Sequence, residues 1–415
     1  MQVHPRVLMS AYACGPGDEP EAAAGWAFAR AAATSHQVHV ITRHRFAPAI
    51  TAELEREPEL AQHLTVEYLD LSERVLARKR RGSDVYWYYA LWQRALARRA
   101  AELHRATPFD VGHHVTFAND WLPCGLARVR DLPVVWGPVG GASVIPLRLV
   151  RWLGLRGTVT ELLRGVLTAP LRAVWGDATA RRAAVVVAQN ETVARRFRRA
   201  RNVVVEPNAA LDDDLPERAR PARPVPPGPE SGSAPHVRRA VFIGRLLAWK
   251  GGRLAIETLA RTPGWELHVY GTGYERPALD RLAGRRGVTD RVVFHGHRPR
   301  AEVLDAIAGC DAMLFPSMHD QAGWVAAEAS ALGRPVVCLP LGGVPLLADS
   351  NARPADLNGD VVGHLAARLA EAATAPGAPS GRWSVSRLPD VVTRLYRTAI
   401  DTAVVDTGAP TGSAA

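Results

Sequence analysis

The sequence predicts an α/β protein built from two Rossmann-like, doubly wound domains that face a cleft. Its 415 residues exceed the roughly 250–300 at which single hydrophobic cores stop growing. Hydrophobic residues make up 47% and charged residues 22%, the balance of a globular protein rather than of a disordered one. Short apolar runs also alternate with segments of helical length on both sides of a proline-rich stretch, as in parallel sheets covered by helices.

The first half of the sequence supplies the strands and helices of one such domain. Strands buried on both faces read as short, nearly continuous apolar runs, because helices cover each face of a parallel sheet. Two segments rich in Ala, Arg and Leu, residues 22–33 and 87–106, have the length and pattern of covering helices. The predicted strands are residues 7–12, 38–42, 64–71, 111–117, 134–136 and 185–188.

The alternation stops over residues 215–237, where Pro, Arg, Gly and Ser replace almost every large apolar residue. This composition is typical of a linker. Beyond it the alternation resumes, with strands predicted at 240–243, 266–270, 292–294, 312–315 and 336–339 and helices at 254–260, 276–282, 301–308 and 323–332.

These patterns predict the order of the domains along the chain. Ligands of open α/β sheets bind beyond the carboxyl ends of the strands, so two such domains are expected to share a cleft. The predicted parts are an N-terminal domain (1–212), a linker (213–238), a C-terminal domain (239–384), a C-terminal helix packing back on the first domain (385–403) and a flexible tail (404–415).

The net charge of +10 is carried almost entirely by arginine, because Lys79 and Lys250 are the only lysines among 51 basic residues. This bias is typical of a G+C-rich coding sequence. Basic charge is therefore weak evidence for nucleic acid, and we expect no nucleic-acid partner because no recognition motif is present. A lysine that persists against the bias is more informative than an arginine.

Cysteine usage and apolar patterning indicate a cytoplasmic protein. The four cysteines stand far apart without a Cys-x-x-Cys pair, which predicts neither a disulfide framework nor a zinc site. No run reaches 18 apolar residues, so no membrane span is expected. Two basic stretches, residues 74–105 and 147–175, are compatible with an anionic acceptor or with peripheral contact at the inner face of an anionic membrane. Packed helices with arginine outside are the more common alternative.

Several phosphate-binding and hydrolytic motifs are missing from the sequence. A P-loop needs Gly-Lys followed by Ser or Thr, and neither lysine follows a glycine. The glycines after residues 7–12 and 266–270 lack the third glycine of the dinucleotide fingerprint. No His-Glu-x-x-His and no Gly-x-Ser-x-Gly occurs, which disfavours zinc peptidases and esterases.

Two cations follow the first predicted strand of the second domain. Gly244 permits close backbone approach, Arg245 offers a planar fork for phosphate oxygens, and Lys250 offers a compact charge. Together they are suited to neutralise a diphosphate. Arg245 alone is more typical of a surface loop, whereas the rarity of lysine favours a functional Lys250.

Two carboxylates and a glycine pair follow later strands of the same domain. Asp320 is predicted in a loop and Glu328 on the next helix, whose N-terminus near Gly323 presents free N–H groups to an anion. The pair Gly342 and Gly343 follows the strand at 336–339 and can bring its backbone close to phosphate. Taken singly, Glu328 is more typical of a solvated charge and the glycine pair of a plain turn.

In combination, these motifs resemble the retaining glycosyltransferases of family 4 over residues 240–345. The shared features are Gly-Arg-Leu-x-x-x-Lys-Gly, Gly-x-Gly after a strand, Pro-Ser, an acid seven residues before Glu-Ala, and Gly-x-Pro-Val-Val followed by Gly-Gly-x-Pro. The resemblance implies the GT-B fold, with a nucleoside-diphosphate sugar held by the C-terminal domain and an acceptor by the N-terminal one. It needs no cofactor and no metal.

The resemblance also implies roles for individual residues. Arg245 and Lys250 would bind the diphosphate, Glu328 the ribose hydroxyls, and Asp320 the donor sugar. This sequence places Asp320 where the family usually has glutamate, as in a subgroup with His-Asp-x-x-Gly-Trp, which leaves the donor sugar open. Further donor-binding residues implied by the family are Gly244, Ala322, Gly323, Trp324, Gly342, Gly343, Gly25 and His297.

The first domain resembles the same subgroup over residues 10–26, 113–123 and 134–141. Gly25 and Trp26 are expected to open the helix after the first strand. Strand alternation lets only one of His113 and His114 face the cleft, and the family places a histidine near the donor sugar at this strand, which selects His114. A strand histidine is otherwise a core residue by default. The acceptor-side residues are predicted to be Tyr12, Trp26, Thr116 and Trp121.

The usual account of the family needs no protein base, because the leaving diphosphate takes the proton of the acceptor. Cations and positioning groups then supply catalysis. The run 212–214 of three aspartates is interpreted as a solvated loop rather than a metal site. Two alternatives stay open: a sugar-nucleotide epimerase, hydrolase or phosphorylase of the same fold, and a non-catalytic sugar-nucleotide-binding protein. The sequence identifies neither the acceptor nor the nucleoside.

Overall fold

The computed structural model describes residues 5–220 and 237–407, which divide into two compact units. The first unit contains residues 5–142, 166–210 and 385–407, and the second contains the remaining described residues. Each is built on one parallel sheet with helices on both faces, so the predicted fold class of two doubly wound domains is confirmed.

The first unit has a seven-stranded sheet in the order β3-β2-β1-β4-β5-β6-β7. Every residue of the strands β4, β5 and β6 is buried, as their continuous apolar runs predict. The strands are β1 (Arg6–Ala11), β2 (Gln37–Thr42), β3 (Leu64–Tyr68), β4 (Val111–Thr116), β5 (Val134–Val139), β6 (Val185–Ala188) and β7 (Val203–Val205). The helices before β7 are α1 (Pro20–Ala33), α2 (Ala47–Arg56), α3 (Pro58–His63), α4 (Glu73–Leu76), α5 (Asp84–Ala106), α6 (Gly154–Leu171), α7 (Asp177–Arg182) and α8 (Glu191–Arg196).

The second unit has a six-stranded parallel sheet in the order β10-β9-β8-β11-β12-β13. Its strands are β8 (Arg238–Ile243), β9 (Trp265–Tyr270), β10 (Val292–Gly296), β11 (Ala312–Phe315), β12 (Val336–Cys338) and β13 (Ala352–Pro354). Its helices are α9 (Gly252–Ala260), α10 (Arg276–Arg285), α11 (Arg300–Ala308), α12 (Trp324–Ala331), α13 (Val344–Ala348) and α14 (Val361–Ala372), and α15 (Leu388–Thr407) follows them. Short 3₁₀ or π turns are His44–Phe46, Leu126–Arg128, Leu147–Trp152, Arg172–Gly176, Leu215–Arg218, Ala248–Lys250, Thr289–Arg291, Asp349–Asn351 and Val385–Arg387.

The two units exchange segments of the chain in a way that differs from the sequence-based boundaries. Residues 143–165 lie in the first half of the sequence but group with the second unit. The reason is apolar burial, because Ile145, Leu149 and Leu153 belong to the core of the second unit. Most of the predicted linker (221–236) and the end of the predicted tail (408–415) fall outside the described residues.

Helix α15 follows the second unit in sequence but packs on α1 of the first. Leu388, Val392 and Tyr396 are fully buried in the same core cluster as Phe28. The sequence predicted a returning helix at 385–403. The structure has α15 at Leu388–Thr407, against the first unit.

Candidate functional site

The loop after β8 lies at the carboxyl edge of the second sheet. Gly244 and Gly251 have φ of +142° and +82°, a backbone region that other residues adopt only with strain. A Cβ on Gly251 would lie 2.1 Å from the carbonyl oxygen of Pro316. Glycine therefore lets this loop contact the backbone at the end of β11.

Lys250 and Asp320 form an ion pair at this edge. The Lys250 Nζ donates to Asp320 Oδ1 at 2.7 Å and to Oδ2 at 2.8 Å, and lies 5.4 Å from the centre of the Phe315 ring. Only 17% of the lysine and 14% of the aspartate side chain is exposed. Burial opposes ionisation of the aspartate, but the charge of Lys250 outweighs it and holds the pKa of Asp320 below its ordinary value.

The loop that carries Asp320 is pressed against the glycine pair after β12. A Cβ on Gly342 would lie 2.0 Å from the Asp320 carbonyl oxygen, and one on Gly343 would lie 2.1 Å from that of Gln321. The Gly343 N–H donates to the Asp320 carbonyl at 2.9 Å. The glycine pair therefore fixes the position of the acidic loop.

Helix α12 starts directly after this loop. Gly323 is its N-cap with φ of +72°, and Trp324 is its first residue. The N–H groups of Ala322 and Gly323 donate to no acceptor within residues 5–220 and 237–407. They stand at the positive end of the helix dipole, where an anion or a hydroxyl oxygen is favoured.

Arg245 is the exposed cation of the same edge. Its guanidinium forms no ion pair with any residue that the structure describes. The turn after β9 holds the loop from below, since Cβ atoms on Gly271 and Gly273 would lie 2.1 and 2.3 Å from the carbonyl oxygens of Gly244 and Leu246. His297, exposed just after β10, makes no polar contact within the described ranges.

Glu328 lies on α12 and is bound by a residue that the sequence analysis missed. The Arg300 guanidinium contacts Glu328 Oε1 at 3.0 and 3.1 Å and lies 3.5 Å from Asp212 Oδ2. Burial raises the pKa of Glu328, and the charge of Arg300 opposes that rise. Oε2 of Glu328 accepts no hydrogen bond from the part of the chain described here. One arginine among 49 carries no sequence signal, which is why Arg300 was missed.

A second missed group lies beside Asp320. Burial and the nearby Arg164 lower the pKa of His319 to about 4, so the ring is neutral near pH 7. Its Nε2 is buried and finds no partner among the described residues. Gln321 Nε2 donates to Ser143 Oγ at 2.8 Å. Both Ser143 and Arg164 come from the segment 143–165, whose place in the second unit the sequence did not predict.

His114 lies inside the first unit, away from its surface. Its Nε2 is 2.9 Å from the Tyr89 hydroxyl and its Nδ1 is 3.1 Å from Ser10 Oγ. Neighbouring His113 contacts Tyr396 and the Gly137 carbonyl, both at 2.9 Å. Both rings are fully buried and on opposite faces of β4, so each has the environment of a core histidine. A donor contact by His114 stays a prediction, and it would need the ring to leave these partners.

Gly25 lies in the interior of α1, not at its start as the sequence suggested. The helix begins five residues earlier because Pro20 occupies its first turn. A Cβ on Gly25 would lie 2.3 Å from the Ala13 carbonyl and 2.8 Å from Thr116 Cγ2. Gly25 therefore allows α1 to lie against the loop after β1, and Thr116 Oγ1 accepts from the Ala13 N–H at 3.0 Å.

The remaining acceptor-side residues occupy aromatic surroundings. Tyr12 is 3% exposed among Tyr88, Tyr89, Trp92 and Phe117, and burial raises its pKa to about 12. Its hydroxyl has no partner in the described chain. Trp26 is 6% exposed, while the half-buried Trp121 packs edge-on against the exposed Tyr86. Trp121 is thus the most accessible of the four.

No three His, Cys, Asp or Glu side chains of the described residues come together as metal ligands, and no helix there is long and apolar enough to cross a bilayer. In the aspartate run 212–214 all three side chains are exposed, and Asp212 contacts Arg300.

Comparison with known proteins relates the second unit to sugar transfer. Residues 237–374 match the family described as Glycosyl transferases group 1. The D-inositol 3-phosphate glycosyltransferase of Mycolicibacterium smegmatis is 29% identical over 213 residues, which are 49% of this chain and 48% of that protein. The 2-deoxystreptamine glucosyltransferase of Streptomyces kanamyceticus is 33% identical over 107 residues, 25% of this chain and 28% of that protein. The chain spans about half the length, or less, of the curated relatives that it matches.

Solved structures match nearly the whole chain. The Anabaena protein Alr3699/HepE in complex with UDP and glucose has a TM-score of 0.53 at 16% identity, over 95% of this chain and 100% of that one. At this identity the likeness shows the fold, which is that of GT-B glycosyltransferases.

Proposed function

We propose that this chain is a retaining glycosyltransferase that moves a sugar from a nucleoside-diphosphate sugar to an acceptor hydroxyl. One observation carries the proposal. At the carboxyl edge of the second sheet, the exposed Arg245 and the Lys250–Asp320 pair share one edge with the glycine turns that fix Asp320. Open α/β sheets bind ligands at this edge, and the family match covers all of these residues.

The two cations are suited to bind the diphosphate. Arg245 has no internal partner to leave, and its planar fork matches two phosphate oxygens. Lys250 is bound by Asp320, which keeps the ammonium charged and aimed at the edge of the sheet. Phosphate oxygens that approach Lys250 share it with Asp320, and the aspartate is then available to accept from a sugar hydroxyl.

The sugar and the ribose are assigned to the start and the middle of α12. The N–H groups of Ala322 and Gly323 and the carboxylate of Asp320 offer donors and acceptors for the donor sugar. Glu328 is anchored through Oε1 by Arg300, which leaves Oε2 to accept hydrogen bonds from the ribose hydroxyls.

The proposed step breaks the bond between the anomeric carbon and the phosphate oxygen and forms one to the acceptor oxygen on the same face of the sugar. The proton of the acceptor hydroxyl passes to an oxygen of the leaving diphosphate. Arg245 and Lys250 stabilise the negative charge that develops there, so electrostatic stabilisation and positioning are the main contributions. Neither a protein base nor a metal is part of this proposal.

The acceptor is proposed to be a hydroxylated ring. The names of two relatives specify D-inositol 3-phosphate and 2-deoxystreptamine, which both carry ring hydroxyls. UDP occupies a structure of the same fold. UDP-sugars and cyclitols therefore head the list of substrates to try.

The proposal is tested by measuring nucleoside diphosphate release from UDP-, GDP-, ADP- and dTDP-sugars with sugar and cyclitol acceptors, with and without EDTA. We expect acceptor-dependent release that EDTA leaves unchanged and a product with the anomeric configuration of the donor. Donor conversion without acceptor would instead indicate an epimerase or hydrolase, and donor binding without turnover a binding protein.

Lys250→Ala is the decisive variant. Charge-assisted hydrogen bonds of this kind contribute about 1.5–3 kcal/mol, so donor affinity measured by calorimetry is expected to fall roughly 10- to 100-fold. Lys79→Ala removes the other lysine, which lies in the first unit, and serves as the matched control with unchanged donor affinity. Equal donor affinity of Lys250→Ala and the wild-type protein would overturn the assignment.

A further inference from the structure

Helix α6 presents its apolar side chains to solvent. Leu155, Leu162, Leu163 and Leu167 are 84%, 66%, 54% and 65% exposed, and Val159 and Val166 continue the same face at 47% and 63%. Their spacing of three and four residues places them in one stripe along a helix of 18 residues. Exposed apolar stripes of this size mark interaction surfaces in proteins that are otherwise well packed.

The inward face of the same helix is polar. Glu161 and Arg164 pair with each other at 2.6 Å, and 13% and 25% of their side chains are exposed. Thr168 is 5% exposed, and just after the helix Arg172 binds the fully buried Asp120 at 3.0 Å. The polar side chains of α6 thus find partners inside the protein, and the apolar ones find none. The usual orientation of a surface helix is reversed.

The segment before α6 extends the apolar surface and adds positive charge. Leu147 is 91% and Val144 is 70% exposed. Arg148, Arg151 and Arg156 are exposed around them. Over residues 143–176 the sequence has five arginines and one acid, Glu161, which faces inward. The outward surface of this segment is therefore apolar and positive without a negative side chain.

A basic groove of the first unit lies close to the end of the stripe. Val174, 63% exposed, lines a small cavity with Arg128 and Arg182. Arg128 also lines an adjoining groove of about 610 Å³ on α5. The other lining residues of that groove are Arg94, Ala97, Arg98, Ala101, Glu102 and Arg105. Arg94, Arg98 and Arg128 form no ion pair with any residue of the described chain.

We propose that the exposed stripe of α6 lies on the surface of an anionic lipid bilayer, with the neighbouring arginines at the phosphate level. Apolar side chains on one side of a helix and arginines around it are what an interfacial helix needs. A second copy of this chain is a less suitable occupant. Its own arginines would meet those of the first copy, and the net charge of +10 would oppose association.

The test measures co-sedimentation of the full chain with vesicles of phosphatidylcholine alone or mixed equally with phosphatidylglycerol. We expect binding to the mixed vesicles, little to pure phosphatidylcholine, and weaker binding at high salt, because salt screens the arginines. The double variant Leu163→Gln/Leu167→Gln is expected to lose at least about tenfold in partitioning. Arg98→Gln/Arg128→Gln is expected to lose binding to anionic vesicles selectively.

Val405→Gln is the matched control, since Val405 is 76% exposed on α15 and lies outside the stripe. Circular dichroism checks that each variant is folded, which substitution at exposed positions should preserve. Equal sedimentation of the wild-type protein and the leucine variant would overturn the proposal. So would a wild-type dimer in sedimentation velocity that the leucine variant abolishes. None of these measurements uses transferase activity, so they stand or fall independently of the proposed function.

Discussion

At the scale of single residues, two adjacent histidines show how neighbours decide the chemistry of a side chain. His113 and His114 point to opposite faces of β4, as strand alternation requires. Burial lowers the pKa of His113 to about 4 and that of His114 to about 3. The sequence predicted the strand and the alternation. It could not predict that Tyr89 and Tyr396, distant along the chain, would contact the two rings.

The buried histidines are expected to make stability depend on pH. The unfolded chain binds a proton at each histidine near the ordinary pKa of 6.5, whereas folded His114 stays neutral down to about 3. More protons are then bound in the unfolded state, so the free energy of unfolding falls as pH is lowered below 6.5. The slope that each histidine contributes is at most about 1.4 kcal/mol per pH unit.

Substitution of His114 separates this contribution. His114→Gln is expected to cost about 1–3 kcal/mol at pH 7, because Tyr89 and Ser10 lose a buried partner, and to make the decline toward pH 5 shallower. Urea unfolding at pH 7, 6 and 5 measures both effects. His297→Gln, at an exposed position, is the control and should follow the wild-type curve. An unchanged slope in His114→Gln would contradict the assignment of a buried neutral ring.

At the scale of elements, the loops at the carboxyl edge of the second sheet were largely predictable. Strands β8 to β12 lie within a few residues of their predicted positions, because buried parallel strands are continuous apolar runs. Strands β7 and β13, of three residues each, were missed because runs so short carry no period. Motif spacing also brought Lys250 and Asp320 to one edge. It did not indicate that Gly342 would press against the Asp320 backbone.

The contact between the glycine pair and the acidic loop leads to a prediction on element packing. Gly342→Ala is expected to displace Asp320, because the added Cβ would lie 2.0 Å from its carbonyl oxygen. Gly359→Ala is the matched control, with φ of +73° against +64° and no atom within 4 Å of the added Cβ. Backbone strain of about 1–2 kcal/mol is common to both variants.

The difference between the two variants therefore measures the contact. Chemical denaturation should show Gly342→Ala to be less stable than Gly359→Ala by about 1–3 kcal/mol, the usual cost of overpacking. Donor affinity should fall in Gly342→Ala and stay at the wild-type value in Gly359→Ala. Similar losses in both variants would mean that only backbone strain matters and that the glycine pair does not position the loop.

At the scale of the whole molecule, composition predicted two domains but not which segments build them. Residues 143–165 are polar and apolar in a mixture that fits either unit, and only the burial of Leu149 and Leu153 assigns them to the second. The pattern of α15 likewise indicates an amphipathic helix without naming its partner. Long-range packing of this kind depends on shape complementarity between distant segments, which no local window of sequence contains.

The crossed assembly predicts which unit loses protection when a C-terminal helix is weakened. Tyr396 on α15 and Leu365 on α14 are both fully buried, in the cores of the first and the second unit. Tyr396→Ala and Leu365→Ala are each expected to cost about 2–5 kcal/mol, because each leaves a cavity. Hydrogen exchange should then show weakened protection in β1 and β4 for Tyr396→Ala, and in β8 and β11 for Leu365→Ala. Loss of protection in β8 on substitution of Tyr396 would contradict the assignment of α15 to the first unit, since proximity in sequence alone would predict that outcome.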